Sequence, residues 1–219
     1  MVNWFKEIWK VRVFIITSLF FIILGAFILF TQEKVDIHLT TNAINSQFLD
    51  TFFKYWTYLG DGLLAPIIVL ILGIVYFKKN GYATFLIGFS TLLTSGILSQ
   101  VLKRSFFSGS LRPLGVIGPE QLYLIEGVDV HTFHSFPSGH TTLGFAFMAF
   151  VAYFYFSKNR WIQFALALIA VLIGYSRIHL SQHFLEDVVT GAILGLLSLI
   201  IVLFVQSLFS AKKVEKPKD

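Results

Sequence analysis

The sequence predicts an all-α protein whose helices cross a lipid bilayer several times, and three observations support this class. The 219 residues have a mean hydropathy of +0.75, and only 13% of them are charged, whereas about a quarter are charged in an ordinary soluble domain. Phe alone contributes 25 residues, and such apolar content must be buried, which excludes a disordered chain. The apolar residues also fall into long runs separated by polar segments.

Six of these runs approach the length that crosses a hydrocarbon core of about 30 Å, for which a helix needs roughly 20 apolar residues. They cover approximately residues 13–30, 63–77, 82–102, 141–156, 161–175 and 188–209. The second and fifth are short, but Trp56 and Trp161 stand near their starts, where aromatic rings mark a membrane interface. We predict six transmembrane helices in a single membrane-embedded domain, residues 1–219.

Two segments near the N-terminus need separate interpretations. Three basic residues precede the first run and would also suit a signal peptide, but the run is too long and lacks a cleavage site, so we predict a retained anchor. Between the first two runs, residues 36–58 are polar but carry apolar side chains at helical spacing. We predict that this segment contains an amphipathic helix lying along the membrane surface.

The distribution of Lys and Arg predicts the orientation, since these residues accumulate in cytoplasmic loops. With the N-terminus inside, the cytoplasmic segments hold eleven of the seventeen: Lys6, Lys10, Arg12, Lys78, Lys79, Lys158, Arg160, Lys212, Lys213, Lys216 and Lys218. The outer segments hold Lys34, Lys54, Lys103, Arg104, Arg112 and Arg177. We predict a multi-pass protein of the cell (inner) membrane with both termini cytoplasmic and the third and fifth connections extracytoplasmic.

Composition also limits the chemistry. The chain has no cysteine, which excludes disulfides, thiolate metal sites and a cysteine nucleophile. The net charge of +5 would suggest a nucleic-acid partner in a soluble protein, but here the charges follow membrane topology. We predict no nucleic-acid partner, and the oligomeric state is undetermined.

The third connection ends in Pro-Ser-Gly-His, residues 137–140, immediately before the fourth apolar run. Ser138 occupies the helix N-cap position, and the free amides of the first turn form an anion site. Gly139 lets a ligand approach the backbone, and His140 can supply a proton. A simple capping turn explains the tetrapeptide equally well when it is considered alone.

The fifth connection places His183 four residues before Asp187, so both side chains share a face if the sixth helix begins near Gln182. The carboxylate can then orient the imidazole as a nucleophile or base. An isolated pair of this kind is more often a surface hydrogen bond, but Arg177 lies six residues earlier. Lys103, Arg112 and Arg177 supply the positive charge that phosphate oxygens require, whereas we expect Arg104 and Lys54 to be interfacial residues that extend to water.

These clusters resemble the three-part signature of the type 2 phosphatidic acid phosphatase superfamily, in its integral-membrane lipid phosphatase branch. The second part, Pro137 to His140, and the third, Ser176-Arg177 with His183 and Asp187, match without change. The first part departs from the pattern, because eight residues separate Lys103 from Arg112-Pro113 where the signature has six. Arg104 is therefore an alternative to Lys103, which we prefer. The motif core covers residues 103–187.

The resemblance implies a metal-independent lipid phosphate or pyrophosphate phosphatase that forms a phosphohistidine on His183 and needs no cofactor. Asp187 would orient His183, and His140 would protonate the leaving oxygen. The phosphate-binding residues would be Lys103, Arg112, Ser138, Gly139 and Arg177. The partners would be the bilayer and a phosphorylated lipid, whose headgroup and tail the sequence does not identify.

Two alternatives remain at this stage. A metal-dependent hydrolase or transporter could draw ligands from His131, His134, His140, His179, His183, Asp129 and Asp187. The neighbouring cations would repel a divalent ion, and loss of activity on chelation would favour this alternative. A membrane scaffold or transporter without catalysis could retain the same fold, but the intact His140, His183 and Asp187 argue against it.

Overall fold

The computed structural model describes residues 4–214, with side chains for residues 4–209, so Lys216 and Lys218 lie outside the described residues. Within this part of the chain the structure is helical, and a single antiparallel bridge joins Leu111 to Phe133. The helices are α1 Trp4–Trp9, α2 Arg12–Thr31, α3 Lys34–Asn42, α4 Gln47–Trp56, α5 Leu64–Val75, α6 Phe77–Asn80, α7 Ala83–Val101, α8 Pro113–Ile117, α9 Gly139–Tyr155, α10 Arg160–His179 and α11 Leu185–Val214. The predicted all-α class is confirmed.

Each of the six predicted apolar runs contains a helix: α2, α5, α7, α9, α10 and α11. Four helical stretches in the described residues are long and apolar enough to cross a membrane. They are Arg12–Thr31, Ala83–Phe106, Arg160–His179 and Leu185–Phe209. A fifth crossing is possible if α4 and α5, which meet at a bend of 59°, form one broken span. The described residues therefore contain four to five candidate spans by length and composition. Helix α9, with 17 residues, is slightly shorter than the 18 residues required of a candidate span.

The amphipathic segment predicted over residues 36–58 forms two helices, α3 and α4, rather than one. The break occurs because Ser46 adopts an extended backbone, with a φ of −166°, and its hydroxyl caps α4 by accepting a hydrogen bond from the Leu49 amide. Side-chain capping of this kind starts a new helix. A 3₁₀ turn, Thr57–Gly60, then connects α4 to α5.

Helix α9 lies at the centre of the bundle, where it contacts α7, α10 and α11. Helices α9 and α11 lie so close together that a Cβ at Gly191 would be 2.8 Å from the Ser138 carbonyl oxygen. A Cβ at Gly195 would be 2.6 Å from the Thr142 carbonyl oxygen. The two glycines therefore let the start of α11 pack against the start of α9. This approach brings the second and third sequence motifs together.

Candidate active site

The three sequence motifs converge on one cavity of about 470 Å³. Its walls come from α4 and the following turn, the end of α7, the long third connection, the start of α9 and the turn after α10. The lining residues are Lys54, Thr57, Tyr58, Gln100, Lys103, Arg112, Gly127, Val128, Asp129, His131, Gly139, His140, Arg177, Leu180, Gln182 and His183. Six of the eight predicted site residues line it, and Ser138 and Asp187 lie behind the wall.

His183 and Asp187 form the predicted pair at the wall of this cavity. His183 Nδ1 lies 3.2 Å from Asp187 Oδ2, and both side chains are almost completely buried. The same carboxylate oxygen accepts hydrogen bonds from the Ser135 hydroxyl and from the Phe184 amide at 2.9 Å. The carboxylate is thereby fixed, and the imidazole it holds by Nδ1 can present Nε2 to a ligand.

The turn between α10 and α11 presents His183 to the cavity. The amides of Gln182 and His183 both donate to the Arg177 carbonyl, at 2.9 and 3.1 Å, which folds the chain back on the end of α10. Ser181 has a φ of +52°, an unfavourable conformation for a residue with a side chain. Its hydroxyl accepts a hydrogen bond of 3.0 Å from the Asn42 side chain of α3, which supports the turn from outside.

The Pro-Ser-Gly-His segment starts α9, and Ser138 is its N-cap residue, as predicted. Its fully buried hydroxyl accepts hydrogen bonds from the Thr141 amide at 3.4 Å and the Thr141 hydroxyl at 2.9 Å, and it does not line the cavity. The Ser138 hydroxyl therefore caps the first turn of α9, and its O–H donor is not used by these two contacts, so phosphate binding by Ser138 stays a prediction. Gly139 does line the cavity, and a Cβ there would meet nothing within 4 Å. This open space faces the free amides of the helix start.

His140 lines the cavity and is about a third exposed. Its Nε2 lies 3.8 Å from Asp61 Oδ2, and the other oxygen of Asp61 accepts a hydrogen bond of 2.8 Å from the Leu63 amide. The turn carrying Asp61 packs closely against the start of α9, since Gly60 has no side chain. A Cβ at Gly60 would lie only 2.6 Å from the His140 carbonyl oxygen. His140 is thus positioned between the cavity and a carboxylate.

Three cations surround His183. Lys103 lines the cavity from a π-helical turn, Leu102–Phe106, at the end of α7, whereas Arg104 is exposed and outside it. Arg112 donates to the Gln182 side-chain oxygen at 2.8 Å and to the Phe133 carbonyl at 2.9 Å. Arg177 is buried and donates to the Thr57 hydroxyl at 2.6 Å. The placement of Lys103 agrees with our preference for it over Arg104.

The electrostatic environment keeps His183 neutral. Burial is the main cause that lowers its pKa well below the usual 6.5, and the positive charges of Arg112, Arg177 and Lys103 lower the pKa further. A neutral imidazole has a lone pair available for attack, while the surrounding cations attract an anionic ligand. The arrangement therefore combines a nucleophile with the charge that stabilises a transferring phosphoryl group.

Sequence reasoning missed three polar residues that position the site. Ser135 holds Asp187, Thr57 holds Arg177, and Gln182 links Arg112 to the Asp129 carbonyl, to which it donates at 2.8 Å. Thr57 lies 120 positions from Arg177 and Ser135 lies 52 from Asp187, so no local pattern connects them. Gln182 stands beside His183, and this adjacency was the only available signal.

The candidate metal ligands do not form a metal-binding group among the described residues, although four of them line the cavity: Asp129, His131, His140 and His183. Among the described residues, no three His, Asp or Glu side chains form a group that could hold a metal ion. His179 instead pairs with Asp50 at 2.9 Å, and His134 lies outside the cavity. His131 and Asp129 line the cavity wall without forming such a group.

The fold and this site define a class of membrane protein. A family model described as the PAP2 superfamily matches residues 83–210, which include all eight predicted site residues. The chain belongs to the PAP2 superfamily. The family predicted from the sequence motifs is therefore confirmed.

Similar proteins include characterised relatives and solved structures. The chain is 29% identical over 198 residues to phosphatidylglycerophosphatase B of Bacillus subtilis, covering 84% of this chain and 90% of that protein. It is 26% identical over 177 residues to a lipid A 4'-phosphatase of Porphyromonas gingivalis, covering 76% and 70%. The crystal structure of Aquifex aeolicus LpxE matches with a TM-score of 0.62 and 27% identity, over 77% of this chain and 93% of that one. A Bacillus subtilis PAP2-type phosphatidylglycerolphosphate phosphatase, at 24% identity and a TM-score of 0.58, covers 94% of this chain and 98% of its own and supports the fold.

Proposed function

We propose that this chain is a lipid phosphatase that hydrolyses a phosphate ester or anhydride of a membrane lipid through a phosphohistidine intermediate. One observation carries the proposal: the buried pair of His183 and Asp187 lies on a cavity that Lys103, Arg112, Arg177 and His140 also line. A neutral nucleophile, three fixed cations and a second histidine are the groups that phosphoryl transfer requires.

The first step forms a bond between His183 Nε2 and phosphorus as the bond from phosphorus to the leaving oxygen breaks. His140 donates a proton to that oxygen, and Asp187 stabilises the positive charge that develops on His183 through Nδ1. In the second step His140 removes a proton from water, which attacks the phosphohistidine, releases inorganic phosphate and restores neutral His183. The cations and the Gly139 amide stabilise the phosphoryl oxygens in both transition states.

An apolar groove supports a lipid substrate. A second cavity of about 790 Å³ lies between α5, α7 and α9, and it shares Gln100, Gly139 and His140 with the catalytic cavity. All of its other lining residues are apolar or small: Gly60, Gly62, Pro66, Phe89, Ser90, Leu92, Leu93, Ser95, Gly96, Ile97, Ser99 and Leu143. A hydrocarbon chain can occupy this groove while its phosphate reaches His183. The names of the relatives, a phosphatidylglycerophosphatase and a lipid A 4'-phosphatase, agree with this substrate class.

The proposal includes a topology with six transmembrane helices, both termini in the cytoplasm and the catalytic cavity on the extracytoplasmic side of the cell membrane. The six apolar helices and the eleven-to-six division of Lys and Arg support it. In this arrangement α3 and α4 lie at the outer membrane surface beside the cavity.

Substitution of the nucleophile tests the function directly. His183→Ala should abolish phosphate release from a lipid phosphate, because the variant lacks the imidazole that forms the bond to phosphorus in the proposed first step. Asp187→Asn should lower kcat by about 10²-fold or more, since the imidazole loses its orienting charge. Phosphate release from detergent-solubilised protein measures both effects, and unchanged thermal unfolding shows that each variant is folded. Near wild-type turnover by His183→Ala would rule out the phosphohistidine mechanism.

A further inference from the structure

Lys54 has a location that the sequence did not indicate. The sequence predicts that both Lys54 and Arg104 are interfacial residues that extend to water. In the structure Lys54 lines the catalytic cavity, and Arg104 does not. Lys54 belongs to α4 and stands outside the three motifs of the family signature. The cavity therefore contains one cation more than the phosphoryl-transfer site requires.

The structure holds Lys54 at the cavity through α4. Asp50, one helical turn earlier on the same face, lies 2.9 Å from His179 Nε2 of α10 and accepts a hydrogen bond of 2.7 Å from the Tyr123 hydroxyl. The contact with His179 is buried and the contact with Tyr123 is partly buried, and together they hold α4 against α10 and the third connection. Lys54 thus projects from an anchored helix face.

The ammonium group lies against a turn of the third connection. Lys54 Nζ donates to the Glu126 carbonyl at 3.1 Å, and an ammonium has three donors, so two remain for a ligand. Gly127, with a φ of +69°, follows immediately, and a Cβ there would lie 2.8 Å from Lys54 Nζ. Gly127 therefore makes room for the ammonium at the wall of the cavity.

The charge balance of the cavity indicates what this ammonium binds. Its lining side chains include four basic residues, Lys54, Lys103, Arg112 and Arg177. The scissile phosphate, which carries about −1.5 to −2 at pH 7, and the Asp187 carboxylate beside His183 balance the three cations around His183. Lys54 donates to a backbone carbonyl and pairs with no carboxylate among the described residues, so its charge can bind one further negative charge, that of a phosphate linked on two sides.

We propose that Lys54 and the Gly127 turn form a second anion subsite, which binds a non-hydrolysed phosphate of a lipid substrate that carries two phosphates. This inference rests on the proposed phosphatase function. The second phosphate has two possible sources: the inner phosphate of a prenyl diphosphate, or the phosphodiester of a glycerophospholipid whose headgroup ends in a phosphomonoester. Both present the same singly charged phosphate to Lys54.

Kinetics on three lipids test the subsite. Lys54→Met should lower kcat/KM about tenfold or more on a lipid with two phosphates, the effect of losing one charge-assisted contact. It should change kcat/KM for phosphatidic acid, which has one phosphate, by less than about threefold. Farnesyl diphosphate and phosphatidylglycerol phosphate are the two-phosphate probes, and a loss confined to one of them identifies the source. Lys54→Arg should retain most of the activity on that lipid.

Matched controls separate the subsite from a structural effect. Lys34→Met removes a lysine that pairs with Glu186 outside the cavity, and it should leave the ratio between substrates unchanged. An equal loss by Lys54→Met on all three lipids would overturn the subsite.

Calorimetry needs no turnover and tests the subsite apart from the phosphatase function. Methyl diphosphate and propane-1,3-diol 1-phosphate 3-(methyl phosphate) represent the two sources, because each carries a singly charged phosphate linked on two sides, and inorganic phosphate represents the scissile group. Lys54→Met should weaken binding of a two-phosphate probe about tenfold and binding of phosphate little. Equal weakening of all three probes would refute the subsite even if the wild-type protein hydrolyses lipids, whereas selective weakening would support it even if no tested lipid is hydrolysed.

Discussion

His183 illustrates how a single residue acquires its chemistry from its surroundings. Burial and three neighbouring cations lower its pKa, while Asp187 fixes its orientation. A histidine in water is about half protonated near pH 6.5, and protonation removes the lone pair that would attack phosphorus in the proposed mechanism. The folded environment therefore keeps the proposed nucleophile neutral in mildly acidic solution.

This environment predicts the acid side of the pH profile. Because the pKa of His183 is lowered, kcat/KM should fall only at a pH well below 6.5. Arg112→Met removes one of the charges that lower the pKa, so the midpoint of the acid limb should move to higher pH. The midpoint of the acid limb does not depend on how much activity the variant retains, so the two proteins can be compared directly. A pH series of kcat/KM on one lipid phosphate measures this midpoint.

Arg104→Met provides the matched control, since it removes the same charge from an exposed residue outside the cavity. Its acid midpoint should equal that of the wild type. An acid limb near pH 6.5 in the wild-type enzyme, or a shift of the Arg112→Met midpoint to lower pH, would contradict this account of His183.

The role of His140 predicts a dependence on the leaving group. A lipid alkoxide leaves poorly without a proton, so His140→Ala should lower turnover of a lipid monophosphate by about 10²–10⁴-fold, the usual contribution of general acid catalysis. Turnover of p-nitrophenyl phosphate, whose leaving group is already stable, should fall much less. Rates on the two substrates measure the difference. Equal losses would leave His140 as a phosphate ligand only.

At the scale of elements, α3 supports the turn between α10 and α11 that carries His183. Asn42 donates to the Ser181 hydroxyl at 3.0 Å and to the Tyr123 carbonyl at 2.9 Å, and its side-chain oxygen accepts from the Tyr123 amide at 2.7 Å. His38 packs against Phe184 with ring centroids 5.4 Å apart. Burial lowers the pKa of His38 to about 4, so it is neutral at pH 7.

Loss of this support should affect both stability and activity. Asn42→Ala removes three hydrogen bonds and leaves the buried Ser181 hydroxyl with only the 3.4 Å contact to His38, so it should reduce the free energy of unfolding by about 1–3 kcal/mol. It should also lower kcat, because the turn that presents His183 becomes less ordered. Thermal unfolding in detergent and phosphate release measure the two effects.

Asn45→Ala is the corresponding control. The Asn45 side chain donates only to the nearby carbonyls of Asn42 and Ala43. Its removal should change the unfolding temperature and kcat little. Equal behaviour of the two variants would show that α3 does not support the turn.

At the scale of the whole molecule, the proposed orientation predicts which surfaces each compartment reaches. The chain has no cysteine, so Glu120→Cys introduces a unique label site in the third connection. A membrane-impermeant maleimide should react with it from outside intact cells. Reporters fused after Ser210 or inserted within residues 78–82 should be cytoplasmic. Labelling of residue 120 only after the membrane is opened would invert the site and exclude extracytoplasmic substrates.

The sequence by itself determined the class and the family, and it predicted six of the residues that line the cavity. Hydropathy is a local property, and so is the spacing of His183 and Asp187 within one helical turn, so both were predictable from short windows. The family motifs supplied Lys103, Arg112, Gly139, His140 and Arg177, which the structure brings to one cavity.

Only the tertiary structure decided which side chains complete the site. Ser135 holds Asp187, Thr57 holds Arg177, and Lys54 joins the cavity wall. These contacts depend on how α4, α9 and α10 pack, and a residue 120 positions away leaves no periodic signal in the sequence. Helical periodicity fixes which residues share a face of one helix, but packing between helices fixes which faces meet.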